Sequence, residues 1–161
     1  MPTLPQLIEA DIQEFESVLG ELLEQSEATT GLLIDKGGFL LAKYGVVDEF
    51  DPTTIAALAS GAYLANQTIA NLVHEENFNS VYQQGEKFSM LVVNVDTQSL
   101  LVIIFKANVS VGAVKYFAAT AAAGIARQMK IAQERDPGAG LDLSVLNLAD
   151  PAMVFRKKSE I

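Results

Sequence analysis

Apolar residues at Ile8, Ile12, Phe15, Leu19 and Leu22 recur at spacings of 4, 3, 4 and 3. That is the period of an amphipathic helix, and it predicts one from Leu7 to about Gln25, with the acidic residues on its other faces. The pattern then changes to two short apolar runs in Leu32–Gly45, read as LLIDKGGFLLAKYG. They predict strands over about Thr29–Ile34 and Phe39–Tyr44. Between them Lys36-Gly37-Gly38 forms a tight turn, its glycines supplying positive φ angles.

A second helix opens at Asp51-Pro52, with a side-chain acceptor at the N-cap and proline in the first turn, and is expected to run to about Glu76. It is rich in small residues: Ala56, Ala57, Ala59, Ser60, Gly61, Ala62, Ala65 and Ala70. Glycine inside a helix costs about 1 kcal/mol relative to alanine, so Gly61 calls for a packing reason. Close approach of another helix or backbone supplies one; packing of this helix onto its own sheet is the alternative. Ile55, Leu58, Ala62, Ile69 and Leu72 are expected to form its core face.

Phe78–Gln84 alternates Phe78, Ser80, Tyr82 and Gln84, the pattern of a polar edge strand open to pairing with another chain. Phe88–Val95 and Leu100–Lys106 are stronger strands joined by the loop Asp96–Ser99. Leu100–Phe105 is apolar at every position, as a central strand covered on both faces should be. A third helix starts at the N-cap Ser110 and extends to about Glu134, with Val114, Phe117, Ala118, Ala121, Ile125 and Met129 as its buried stripe. Asp136-Pro137-Gly138-Ala139-Gly140 ends it. The order is α-β-β-α-β-β-β-α, an α/β sandwich with a five-stranded, mostly antiparallel sheet and helices on both faces. Residues 1–135 read as one domain. Residues 136–161 read as a tail, either partly flexible or a short docking helix, with apolar positions at Leu141, Leu143, Val145, Leu146 and Leu148.

Charge narrows the range of partners. The chain of 161 residues has 11 basic and 20 acidic residues, a net charge of −9, which disfavours nucleic acid or an anionic membrane as partner. Residues 1–35 contain no Lys or Arg, whereas Arg156-Lys157-Lys158 stand near the other end. The absence of cysteine removes disulfide and thiolate chemistry. No signal-peptide pattern follows Met1, and the purest apolar run, Leu100–Phe105, is far shorter than the roughly 20 residues of a spanning helix. The expectation is a soluble, cytoplasmic protein.

The motifs of catalysis are incomplete. His74 is the one histidine, and Phe78 stands where H-E-x-x-H needs its second. Its place near the end of the second helix suits a favourable charge there instead. Ser60-Gly61 does not belong to G-x-S-x-G. Lys36-Gly37-Gly38 and Gly138-Ala139-Gly140 are fragments of phosphate loops without the remainder. Asp35 and Asp96 are ordinary turn aspartates. Arginine occurs only as Arg127, Arg135 and Arg156, none well placed as an exposed, mobile finger. No catalytic residue, cofactor or metal is expected, and function is assigned to surfaces.

Four segments in order carry a resemblance: Leu33-Ile34-Asp35-Lys36-Gly37-Gly38; Asp51 to Leu72; Phe78 with Gly85-Glu86-Lys87-Phe88-Ser89; and Leu101–Phe105 followed by Ser110-Val111-Gly112-Ala113-Val114-Lys115. Together they resemble the Roadblock/dynein-light-chain family, most closely its bacterial branch typified by MglB, the partner of a Ras-like polarity GTPase. The resemblance spans about residues 5–135. It implies the same element order, a homodimer formed through the second helix and third strand, and a role in stimulating GTP hydrolysis. Such proteins insert no arginine of their own and reposition groups of the GTPase. It further implies partner-facing positions at Ala57, Gly61, Leu64 and Thr68 for the dimer, the GTPase (MglA-like) or both, and a dimer edge at Phe78, Ser80 and Tyr82. A Roadblock-type scaffold without effect on hydrolysis is the alternative, and a small-ligand sensor a third. The basic tail departs from the branch, in which an acidic ending would match more closely.

Overall fold

A computed structural model describes residues 4–135 of the chain; the expected tail, 136–161, lies outside the described residues. The elements follow the predicted order: α1 (Glu9–Ser26), β1 (Thr30–Asp35), β2 (Leu40–Gly45), α2 (Pro52–Leu72), β3 (Ser80–Gln83), β4 (Phe88–Asn94), β5 (Ser99–Lys106) and α3 (Val111–Glu134). Three helices thus lie on a five-stranded sheet, the element order that the family resemblance implies. The strands stand in the order β2-β1-β5-β4-β3, and every pairing is antiparallel.

Strand β5 is central, and its alternation divides the core in two. Leu101, Ile103 and Phe105 face one side, where they join Phe15, Leu19 and Leu22 of α1 and Val114, Ala118, Ile125 and Met129 of α3. Leu100 and Val102 face the other side with Leu32, Ile34 and Val92, beneath Ala56, Ala59 and Tyr63 of α2. A strand buried on both faces cannot alternate apolar with polar, which is why Leu100–Phe105 reads as a continuous apolar run.

Local chemistry sets the boundaries. The Asp51 carboxylate accepts the Thr54 amide at 3.2 Å and caps α2, with Pro52 in its first turn. Ser110 Oγ accepts the Ala113 amide at 3.3 Å and caps α3. Of the two turn glycines of the first hairpin, Gly37 and Gly38, Gly38 alone takes a positive φ, +95°, so one residue supplies the left-handed conformation expected of both. Asp35 Oδ1 accepts the Phe39 amide at 2.8 Å and closes that turn.

Three boundaries and two faces differ from expectation. Helix α2 ends at Leu72, four residues before Glu76, and His74 beyond it adopts a left-handed φ of +62°. Strand β3 starts at Ser80, leaving Phe78 in the connection, where its ring packs on Tyr63 at 5.0 Å between centroids. Helix α1 starts at Glu9. Its acidic residues are not all solvated: Asp11 is buried against Arg135 of the α3 C-cap. The core face of α2 also differs. Leu58, Ile69 and Leu72 are 68%, 56% and 75% exposed, whereas Ala56, Ala59, Ser60, Tyr63 and Ala70 face inward. Small residues let α2 lie close to the sheet, so the bulky aliphatic side chains are left on the outer side.

Candidate interaction face

Helix α2 has two apolar faces, and one of them is uncovered among the described residues. At 100° per residue the inward side chains of Ala56, Ala59, Ser60, Tyr63 and Ala70 occupy one side. Ala57, Leu58, Gly61, Leu64, Ala65, Thr68, Ile69 and Leu72 occupy the opposite side, and all are exposed. A helix that is apolar all round ordinarily belongs in the interior of an assembly.

The middle of this face is flat and open. A Cβ placed on Gly61 would meet nothing within 4 Å, so the glycine answers to no contact within the described residues. The alternative expected for it, packing of α2 onto its own sheet, therefore does not account for Gly61 among the described residues. Two exposed polar groups on this helix are turned back on its own backbone. Thr68 Oγ1 donates to the Leu64 carbonyl at 3.0 Å, and Asn66 Nδ2 donates to the Ala62 carbonyl at 2.8 Å. The outward surface consequently spends few donors on water and loses little when dried.

The structure brings Ala57, Gly61, Leu64 and Thr68 together on this face, as the spacing of 4, 3 and 4 required. The edge-strand residues divide. Strand β3 pairs only with β4 among the described residues, so its outer backbone edge is available for pairing. Tyr82 stacks on Phe105 at 6.3 Å, on the side of the sheet that holds α1 and α3. Ser80 shares that side by alternation. Phe78 packs beneath α2. The edge therefore offers main-chain groups to a partner more than these three side chains.

The face also includes residues that sequence reasoning missed. Leu58, Ile69 and Leu72 lie on it, although the sequence pattern assigns them to the core. Phe39, 71% exposed, stands at the tip of the first hairpin. Its neighbour Gly38 presses on α2 so closely that an added Cβ would stand 3.2 Å from Ala57 Cα. The available signal was the absence of any polar stripe on α2: with apolar residues all round, periodicity selects no inner side. Among the described residues no group of His, Asp and Glu is placed to hold a metal ion, and no helix is long and apolar enough to cross a membrane.

Comparisons with known proteins agree with the fold. The sequence profile of the Roadblock/LC7 domain matches residues 14–105. Among solved structures, an MglB with a tetrameric arrangement is 30% identical, with a TM-score of 0.75, covering 82% of this chain and 99% of that one. The gliding protein MglB of Thermus thermophilus is 29% identical at a TM-score of 0.74, covering 81% of this chain and 99% of its own. Myxococcus xanthus MglB is 25% identical at a TM-score of 0.74, covering 81% and 98%. No curated protein matches the chain by sequence.

Proposed function

The chain belongs to the Roadblock/LC7 domain family, and on that basis we propose that it regulates a small Ras-like GTPase as a homodimer built on α2 and β3. The MglB-type fold supports a regulator or partner of such a GTPase. Two copies pair through the outward face of α2 and the free edge of β3, and the paired helices form the platform on which the GTP-bound partner docks. Stimulation of hydrolysis comes from holding the GTPase's own groups in place, since positioning and electrostatics are the main needs of phosphoryl transfer. The chain contributes no catalytic residue to that step. Because one related MglB has a tetrameric arrangement, assembly beyond the dimer is part of the proposal. A cytoplasmic setting, with polarity or motility as the process served, follows from the same reading.

The observation that carries this reading is the exposed apolar face of α2 with Gly61 open at its centre. Light scattering of the purified chain tests the dimer. Single-turnover GTP hydrolysis by the Ras-like GTPase encoded in the same genome, with and without the chain, tests the activity. A chain that binds the GTPase without changing its turnover would be a scaffold instead.

A further inference from the structure

A cavity of about 550 Å³ lies at the end of the sheet where the β1–β2 and β4–β5 hairpins turn. It is separate from the outward face of α2, since Ala57, Gly61, Leu64 and Thr68 do not line it. Its size falls within the range of small-molecule sites. Tyr63 and Phe78 supply its aromatic lining, and Lys36, Asn94, Asp96 and Lys130 are among its polar residues.

Two parts of that lining, the Lys36 backbone and the Asp96 carboxylate, are held in place before any ligand arrives. The Lys36 amide donates to the Gln98 carbonyl at 2.8 Å, and the Lys36 carbonyl accepts from Ser60 Oγ at 2.6 Å, so this residue is tied to both the neighbouring hairpin and α2. Asp96 Oδ1 accepts from the amides of Gln98 and Ser99 and from Ser99 Oγ, each at 2.8 Å. Burial pushes the Lys36 ammonium below its ordinary pKa, a tendency opposed by the Asp96 carboxylate. Asn94 Oδ1 is buried with no hydrogen-bond partner among the described residues. A buried acceptor left unpaired is costly, and such a group calls for a donor from elsewhere. In a chain of net charge −9, two ammonium groups and a lone acceptor thus converge on one cavity.

We propose that this cavity binds a small organic anion that also carries an O–H or N–H donor. The anionic group lies between Lys36 and Lys130, the donor reaches Asn94 Oδ1, and the carbon skeleton rests on Tyr63 and Phe78. A hydroxy acid and an amino acid both have this chemistry, and in an amino acid the ammonium also meets Asp96. The site is a property of the single chain and stands or falls apart from any action on a GTPase.

The test is a titration of the full-length, isotope-labelled chain by two-dimensional amide NMR at pH 7 with L-malate, L-glutamate and succinate. Malate, glutamate or both should shift Lys36, Asn94 and Asp96 saturably with Kd below about 1 mM. Succinate, which has the carboxylates but no donor, should bind at least tenfold more weakly. The double variant Lys36→Gln, Lys130→Gln should weaken binding at least tenfold; if it fails to fold, Lys130→Gln alone, on an exposed helix position, should weaken it at least threefold. Saturation by malate alone identifies a hydroxy acid, and by glutamate alone an amino acid. No saturation by either up to about 20 mM, equal binding of succinate, or undiminished binding by the folded variant would overturn the proposal.

Discussion

Arg135 holds Asp11 with both ends of its guanidinium, Nη1 on Oδ2 and Nη2 on Oδ1, each at 2.8 Å, across a separation of 124 residues. The carboxylate is fully buried, and its remaining capacity is taken by Gln128 Nε2 at 2.8 Å and the Ile8 amide at 2.9 Å. One aspartate therefore caps the start of α1 and fastens it to the end of α3. Every partner of the buried charge is in place, the condition under which such a pair is not a liability.

Removing one partner should expose that dependence. Arg135→Met leaves a buried carboxylate without its cation, and should cost about 3 kcal/mol, the low end for buried pairs because Arg135 retains some solvent access. Urea denaturation of wild type and variant measures it.

The same pair predicts a pH dependence. The Arg135 guanidinium holds the Asp11 carboxyl well below the usual carboxylate range, with help from Ile8 and Gln128 and against its burial. A depressed folded-state pKa means that the unfolded chain takes up the proton first. The contribution is complete at neutral pH and is withdrawn as the pH falls below about 4. Asp11→Asn should be markedly less stable than wild type at pH 7, with the gap narrowing steadily below that point. Denaturation midpoints between pH 2.5 and 7 follow the difference.

Two glycines should respond with opposite signs. Gly38→Ala forces a side chain into a φ of +95° and against the α2 backbone, and should destabilise the chain by about 1–2 kcal/mol. Gly61→Ala meets open space in a helix and should stabilise the monomer by about 0.5–1 kcal/mol while weakening self-association. Thermal melts in dilute solution, paired with light scattering at high concentration, separate the two effects.

The two faces of α2 should differ as sharply. Tyr63→Ala removes a fully buried ring and should cost about 3–4 kcal/mol. Leu72→Ala should change monomer stability by less than about 0.5 kcal/mol, although it truncates a large aliphatic side chain. Denaturant titration of each variant as a monomer reads both.

The architecture was legible because its signals are periodic. The α1 stripe from Ile12 through Phe15 and Leu19 to Leu22 and the doubly apolar β5 both appear where expected, with Ile8 left as the N-cap, and Asp51-Pro52 starts α2. The inner face of α2 was not legible. A helix apolar on both sides has no polar stripe to orient it, and choosing the largest residues as core put Leu58, Ile69 and Leu72 on the wrong side. The four positions Ala57, Gly61, Leu64 and Thr68 emerged from family resemblance, and their grouping on one exposed face follows from their spacing. The Asp11–Arg135 pair had no local signature, since its partners are joined only by the fold. The same is true of the cavity, whose two lysines, one at the β1–β2 turn and one on α3, lie far apart in sequence.

We propose that the outward face of α2 is where this chain meets its partners. Single-turnover GTP hydrolysis by the Ras-like GTPase of the same genome tests it, comparing wild type with Gly61→Arg. Wild type should accelerate hydrolysis several-fold and Gly61→Arg not at all, while the variant keeps the helical and strand content of the wild type and runs as a monomer. Acceleration that survives Gly61→Arg, or a wild-type chain that neither binds nor accelerates the GTPase, would contradict it.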